Sequence, residues 1–103
     1  MIKITVLYPN GEGNTFDMSY YCNTHIPLVQ RLVGPALKGV SVDQGMAGGE
    51  PGSPPLYVAV CHLLFESVEV FQAAFGPHDE AIMGDIPNYT NIQPILQISE
   101  VKL

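Results

Sequence analysis

The sequence predicts an α+β domain whose elements follow one another in the order β-α-β-β-α-β. Four segments are rich in β-branched and apolar residues, each of two helical segments ends at a Gly-Pro pair, and a Gly- and Pro-rich stretch separates the middle strands. Two split β-α-β units in this order form a ferredoxin-like sandwich, a four-stranded antiparallel sheet with two helices on one face. Residues 1–103 are therefore interpreted as a single domain.

The four predicted strands differ in apolar content, and this difference orders them in the sheet. They cover Ile2–Pro9, Leu37–Met46, Leu56–Phe65 and Pro94–Lys102. The first and third are the most apolar, and right-handed crossovers would place these two at the centre. Between the second and third strands, Ala47–Pro55 reads AGGEPGSPP and is predicted to be a loop. It is interpreted either as a mobile surface loop or as a lid or dimer-contact segment.

The first helix is predicted from about Asp17 to Val33, where a Gly-Pro pair ends it. Asp17 can cap this helix, because its carboxylate can accept from the exposed N–H groups of the first turn. Phe16 and Tyr21 then occupy the N′ and N4 positions, which pack together in a hydrophobic staple. Tyr20 lies about 100° around the helix from Tyr21, and it is expected in the core or in a dimer contact.

Pro27 lies inside this first helix and is expected to interrupt it. Proline has no N–H group, it pushes against the carbonyl four residues earlier, and it disfavours the α conformation in the preceding residue. We therefore expect a break just after His25, with Ile26 outside the α region and the carbonyl of Asn23 unpaired.

The second helix is predicted to be capped by the Ser67 hydroxyl and to continue through Phe75. A Gly-Pro pair ends it, and His78–Met83 is expected to add a further helical turn or two. The segment Gly84–Asn91, which holds Asp85, is predicted to be a loop before the last strand.

Composition and charge restrict the partners of this chain. Hydrophobic residues make up 47% and charged residues 14%, the formal net charge is −6, and the four Lys and Arg residues are scattered. Nucleic acids and anionic membranes both require clustered cations, so neither is expected as a partner. The chain opens directly on a strand pattern without a leader, and no apolar run approaches twenty residues. We therefore expect a cytoplasmic protein.

The third strand predicts a homodimer, because both of its faces are apolar. One face carries Tyr57, Ala59, Cys61 and Leu63, and the other carries Leu56, Val58, Val60, His62 and Leu64. Two helices can cover only one face of the sheet, so the other face requires a partner. We expect two copies of the chain to pack with their sheets face to face.

The best candidate for chemistry is the pair formed by Tyr21 and His25, which stand at positions i and i+4 on one helix face. An imidazole that titrates near neutrality can take or give a proton, and a phenol can orient it or polarise a substrate oxygen. We therefore predict both as catalytic residues, against the alternative of a partly buried packing role. The predicted substrate-binding residues are Tyr89, Asn23 and Phe16; for Tyr89 a packing role is the alternative.

No cofactor or metal is expected. The histidines His25, His62 and His78 are too scattered to suggest metal-ligand spacing. Cys22 and Cys61 form no CxxC motif and are expected to be two reduced, buried thiols. The segment GEGNTF lacks the spacing of a phosphate-binding loop, and no nucleophile motif such as G-x-S-x-G occurs.

Several segments together resemble the EthD family, small proteins encoded beside cytochrome P450 systems for ethyl tert-butyl ether degradation. The matching segments are YYCNTHIPLV, the Gly-Pro pair after that helix, FESVEVFQAAFG and DIPNYTNIQPILQISEV. The most specific element is formed by Tyr21, His25 and Pro27. The resemblance implies the dimeric α/β-barrel group, whose monomer is the ferredoxin-like sandwich. It also implies a pocket between the first helix and the sheet, with His25 pointing into it and Tyr21 nearby.

The resemblance supplies a fold and a site but no reaction, because function does not transfer by fold analogy. The first hypothesis is a protein that binds a small hydrophobic oxygenated metabolite, in ether degradation or a similar pathway. In its enzymatic version His25 acts as general acid or base without a cofactor. The second is a non-catalytic ligand-binding or accessory protein for a cytochrome P450 monooxygenase system. The third is a structural dimerisation module with a filled interior.

Overall fold

The four strands form one antiparallel sheet in the order β2-β3-β1-β4 in the computed structural model, which describes residues 1–103. Strand β1 is Ile2–Pro9, β2 is Gly39–Gln44, β3 is Tyr57–Phe65 and β4 is Ile95–Glu100. The two most apolar strands, β1 and β3, are the central pair, as predicted. Together with the helices they form the predicted α+β ferredoxin-like arrangement.

The helical segments match the predicted positions, with differences at their ends. Helices α1 and α2 are Met18–Tyr20 and Ile26–Val33, and they are joined by a π-helical turn over Tyr21–His25. Helix α3 is Val68–Phe75 and α4 is Asp79–Gly84. Short 3₁₀ turns cover Gly34–Ala36, Gly76–His78 and Ile86–Asn88. None of these helices has the length and apolar content needed to cross a membrane.

The predicted capping and staple contacts are confirmed. The Asp17 carboxylate accepts from the Tyr20 N–H at 3.0 Å, and the ring centroids of Phe16 and Tyr21 lie 5.0 Å apart. At α3, the Ser67 hydroxyl accepts from the Val70 N–H at 3.1 Å. These contacts satisfy donors that the first turn of a helix leaves free.

The expected break after His25 is wrong. Ile26 has α-helical angles, φ −62° and ψ −44°, and its N–H donates to the carbonyl of Tyr21 five residues earlier. The helix therefore widens into a π turn before Pro27 instead of ending there. Pro27 then lies in the first turn of α2, where a missing N–H costs little.

Two further predictions are wrong, namely the burial of Cys22 and the length of strand β2. Cys61 is buried on β3, but Cys22 is exposed on the outer side of the π turn, where its thiol contacts the Met18 sulfur at 3.7 Å. Strand β2 is shorter than predicted, while residues 47–55 form the predicted loop. The fold therefore differs from the sequence prediction mainly at the ends of its elements.

The core lies between the helices and one face of the sheet. The covered face of β3 is buried, and it carries Ala59, Cys61, Leu63 and Phe65. The other face is half-buried in the single chain, and it carries Val58, Val60, His62 and Leu64. The helices of this chain thus cover one face only, as the alternation predicted.

Candidate functional site

A cavity of about 50 Å³ lies between the helices and the sheet. None of its sixteen lining residues carries a formal charge at neutral pH, and its polar atoms come from Tyr8, Tyr21, His25 and Cys61. Met83 on α4 and Leu96 on β4 line it as well and are 40% and 47% exposed, so the cavity reaches the surface at this edge. A cavity of this size has room for several waters or a small organic group.

His25 is held at the cavity wall by a carboxylate from a distant loop. The His25 side chain is 6% exposed, and its Nδ1 lies 2.9 Å from Oδ2 of Asp85. The same carboxylate accepts at Oδ1 from the Tyr20 hydroxyl at 2.7 Å and from the Asn88 side-chain amide at 2.9 Å. These three bonds fix the carboxylate, and the carboxylate in turn fixes the imidazole ring.

Opposing effects on the pKa values of this pair define its protonation. Burial lowers the pKa of His25, and the hydrogen bond and charge of Asp85 oppose that shift only in part. Burial would raise the pKa of Asp85, but hydrogen bonds from Asn88, His25 and Tyr20 lower it overall. At neutral pH the site therefore holds a carboxylate beside a neutral imidazole. Because a carboxylate can only accept, we assign the imidazole proton to Nδ1, which leaves a lone pair on Nε2.

The unprotonated Nε2 atom of His25 faces a pair of buried tyrosine hydroxyls. It lies 3.5 Å from the hydroxyl of Tyr89, which is 2.7 Å from the hydroxyl of Tyr8. Burial raises the pKa of Tyr8 and that of Tyr89, so both phenols are protonated at neutral pH. A potential base is thus joined to two potential hydrogen-bond donors.

Aromatic packing holds the rings of this cluster in place. The Tyr21 ring stacks on the His25 ring with a centroid distance of 5.4 Å and an interplanar angle of 14°. Tyr21 also packs edge-on against Tyr8 at 5.5 Å and lies 4.9 Å from Tyr89. Such packing restricts the rotation of the imidazole. Burial also raises the pKa of Tyr21 and that of the Cys61 thiol, the latter to about 11, so both stay neutral.

The structure brings together four of the five predicted site residues. His25 and Tyr21 line the cavity, while Tyr89 and Phe16 pack against them in the aromatic cluster without lining it. Asn23 is not part of the site, because its side chain is exposed and bonds to the Ser19 hydroxyl at 3.3 Å. The substrate-binding role of Asn23 therefore has no support in the geometry.

Sequence reasoning missed two residues of the site. The sequence predicts Asp85 only as part of a loop and Tyr8 only as part of a strand. The strand alternation from Ile4 to Tyr8 indicates a common face and could have placed Tyr8 in the core. The pairing of Asp85 with His25 spans 60 positions and has no local signal.

The fold and the site define a small ferredoxin-like protein with an uncharged cavity and a buried histidine bonded to a half-buried carboxylate. The chain belongs to the EthD family, because the sequence model of the EthD domain matches residues 11–93. No curated protein shows significant similarity to it.

Solved structures agree with this assignment. An EthD-like protein from Ralstonia eutropha JMP134 is 47% identical, with a TM-score of 0.95 over 99% of this chain and 92% of its own. An EthD family protein from Bacillus halodurans C-125 is 22% identical, with a TM-score of 0.68 over 99% of both chains. A protein from Arabidopsis thaliana, 10% identical, aligns over 100% of this chain and 97% of its own, and its TM-score of 0.70 indicates a common fold alone.

Proposed function

We propose that the protein binds a small, uncharged, oxygen-bearing organic molecule in its cavity and removes a proton from it with Nε2 of His25. The observation that carries this proposal is the 2.9 Å bond between Asp85 and Nδ1 of His25 at the wall of an otherwise uncharged cavity. A histidine fixed in this way can act as a general base without a cofactor.

The ligand class follows from the charge of the cavity wall. No Lys or Arg lines the cavity, and burying an anion without a paired cation carries a large desolvation penalty. The exposed Met83 and Leu96 side chains give an apolar route from the surface. The expected ligand is therefore neutral and mainly apolar, with one or two oxygen atoms.

The base requires a neutral imidazole in a defined orientation. Burial lowers the pKa of His25, which favours the neutral form. The carboxylate of Asp85 fixes the tautomer and stabilises the imidazolium that forms when Nε2 takes a proton. In this proposal Tyr21 positions the imidazole through the stacked contact of their rings. The reaction class that these groups support is proton abstraction beside a carbonyl.

The test is exchange of carbon-bound protons in D₂O. Acetone and butanone, chosen to suit a cavity of about 50 Å³, are incubated with the protein, and loss of their α-proton signals is followed by ¹H NMR. We expect exchange above the buffer rate with the native protein and its loss in the folded His25→Gln variant. The matched control is His78→Gln, which removes a half-buried histidine that does not line the cavity. The proposal fails if the native protein gives no exchange, or if His25→Gln exchanges as fast as the control.

The cavity and the proton-exchange assay distinguish the proposed function from the alternative functions. A dimerisation module with a filled interior disagrees with the cavity beside His25. An accessory role in a cytochrome P450 system has no observation that favours it. Binding without chemistry uses the same cavity, but it leaves the fixed base unexplained. A place in ether degradation follows only from the family resemblance, and the cytoplasmic location stays a prediction.

We also propose that the half-buried face of the sheet packs against a second copy of the chain. The support is apolar surface that the helices leave uncovered, including Val60 and Leu64 on the central strand β3. A paired copy would remove these side chains from water, which stabilises association in proportion to the apolar area buried.

A further inference from the structure

We propose that Tyr8 is a second proton-transferring residue, which His25 recharges through the Tyr89 hydroxyl. This inference rests on the proposed function of His25 and names the group that acts at the other end of the substrate. It follows from the hydroxyl chain that joins Nε2 of His25 to Tyr89 and Tyr89 to Tyr8.

The positions of the three groups distinguish a relay from ordinary core packing. His25 and Tyr8 both line the cavity, whereas Tyr89, the residue that joins them, does not. A proton could therefore pass behind the cavity wall, through Tyr89, between two residues that both line the cavity. The Tyr8–Tyr89 link is short, at 2.7 Å, and the Tyr89–His25 link is long, at 3.5 Å. Catalytic hydrogen bonds are often long in ligand-free sites and tighten when the substrate binds.

Burial keeps the hydroxyls of Tyr8 and Tyr89 protonated at neutral pH. It raises the pKa of Tyr8 and that of Tyr89, so each enters the reaction as a neutral phenol that can donate. A tyrosinate left at Tyr8 after donation would be buried and strongly basic. It would therefore take a proton from Tyr89 at once, and Tyr89 would take one from the imidazolium of His25.

The proton balance of this sequence closes without a co-reactant. Nε2 of His25 removes the proton from the carbon beside a carbonyl, so that a C–H bond breaks and an N–H bond forms. The electron pair moves into the C=C bond of the enol, and Tyr8 donates its proton to the former carbonyl oxygen. Tyr89 then reprotonates Tyr8, and the imidazolium reprotonates Tyr89. The net reaction is a keto–enol tautomerisation, and its reverse, completed at another carbon, is an isomerisation.

The substrate class follows from the geometry of the two transfers. The ligand is a neutral ketone or lactone with an acidic C–H bond beside its carbonyl group, oriented with the oxygen towards Tyr8 and the carbon towards His25. Such a compound needs no cation in the cavity, because Tyr8 neutralises the charge that develops on oxygen during the transfer.

The experiment measures α-proton exchange of acetone in D₂O with single hydroxyl deletions. The variants are Tyr8→Phe and Tyr89→Phe, which keep the aromatic rings. The matched control is Tyr57→Phe, which removes a hydroxyl of a half-buried tyrosine outside the cluster. We expect kcat to fall about 10²-fold or more in Tyr8→Phe and about 10-fold in Tyr89→Phe. KM is expected to stay within about twofold, because a displaced ring would instead raise KM and lower Tm.

The outcomes separate the relay from the proposed function. If exchange depends on His25 but Tyr8→Phe and Tyr89→Phe match Tyr57→Phe, the relay is refuted and the base remains. If only Tyr89→Phe matches the control, Tyr8 acts without the relay and the inference is overturned as stated. If the native protein exchanges neither acetone nor butanone, the proposed function and the inference both fail.

Discussion

Replacing Asp85 by Asn tests how the site holds its base. Asn has almost the same shape as Asp, but it exchanges one acceptor oxygen for an amide donor and removes the negative charge. If the amide faces Nδ1 of His25, the imidazole must carry its proton on Nε2, which then cannot accept one. If the oxygen faces Nδ1 instead, the amide points at the Tyr20 hydroxyl and the Asn88 amide, where it meets another donor. Either arrangement weakens the site.

The magnitude follows from the contacts of the carboxylate. Asp85 accepts from the buried His25 at 2.9 Å and from Tyr20 at 2.7 Å, and its side chain is only 13% exposed. A hydrogen bond to a charged group contributes about 1.5–3 kcal/mol, so we expect Asp85→Asn to lower the free energy of unfolding by about 2 kcal/mol. Loss of the Nδ1–H tautomer is expected to reduce kcat for α-proton exchange by about 10²–10⁴-fold.

The assay combines urea unfolding, the exchange rate and ¹⁵N NMR of the imidazole. We expect the Nε2 resonance of His25 to change from an unprotonated to a protonated nitrogen in Asp85→Asn at neutral pH. The control is Asp79→Asn, which removes a carboxylate of an exposed residue at the start of α4. If Asp85→Asn keeps the Nδ1–H tautomer and the exchange rate of the control, the carboxylate does not position the base.

Two further predictions concern acid stability and assembly. Because burial lowers the pKa of folded His25 below the ordinary value of 6.5, the unfolded chain binds this proton more readily. The stability that neutral His25 contributes is therefore complete above pH 6.5 and is lost as the pH falls from 6.5 towards the lower pKa of the folded state. The urea midpoint of the native protein should drop more between pH 7.5 and 5.5 than that of His25→Gln, and equal drops would contradict this. Val60→Glu should convert a dimer to a monomer in light scattering with size-exclusion chromatography, whereas the exposed helix variant Gln72→Glu should not. A native monomer, or an intact Val60→Glu dimer, would show that this face is not the interface.

Much of the fold could be predicted because its signals are local. The alternation along Tyr57–Phe65 marks a central strand with one buried face, and Asp17 and Ser67 cap helices through contacts within three residues. Such patterns determine element type and the order of central and edge strands. The ends of the elements are less determined, since β2 becomes a strand only where it pairs with β3 from Gly39 onward.

Only the part of the site that lies on the first helical segment could be predicted from the sequence. Tyr21 and His25 stand one helical turn apart, so their contact follows from spacing. Asp85 and Tyr89 reach His25 from positions 60 and 64 residues later, through the path of the loop after α4. That path depends on tertiary packing, and no periodicity in the sequence encodes it. For the same reason the exposed Asn23, polar and near the histidine in sequence, was a poor guide.

The spacing of the apolar residues in the first helix contains a signal for the π turn. The buried residues of this helix include Tyr21, Ile26, Val29 and Val33, which stand at i, i+5, i+8 and i+12. An α-helix at about 100° per residue would spread them over some 140°, whereas i, i+4, i+7 and i+11 would align within about 60°. The segment therefore contains one residue too many for a regular apolar stripe. A π turn absorbs one extra residue, and the turn observed here covers Tyr21–His25. Burial of the stripe thus stabilises the irregular turn that ends at His25. The spacing of the apolar residues and Pro27, which has no N–H to donate to the Asn23 carbonyl, both favour an irregular helix beside the proposed base.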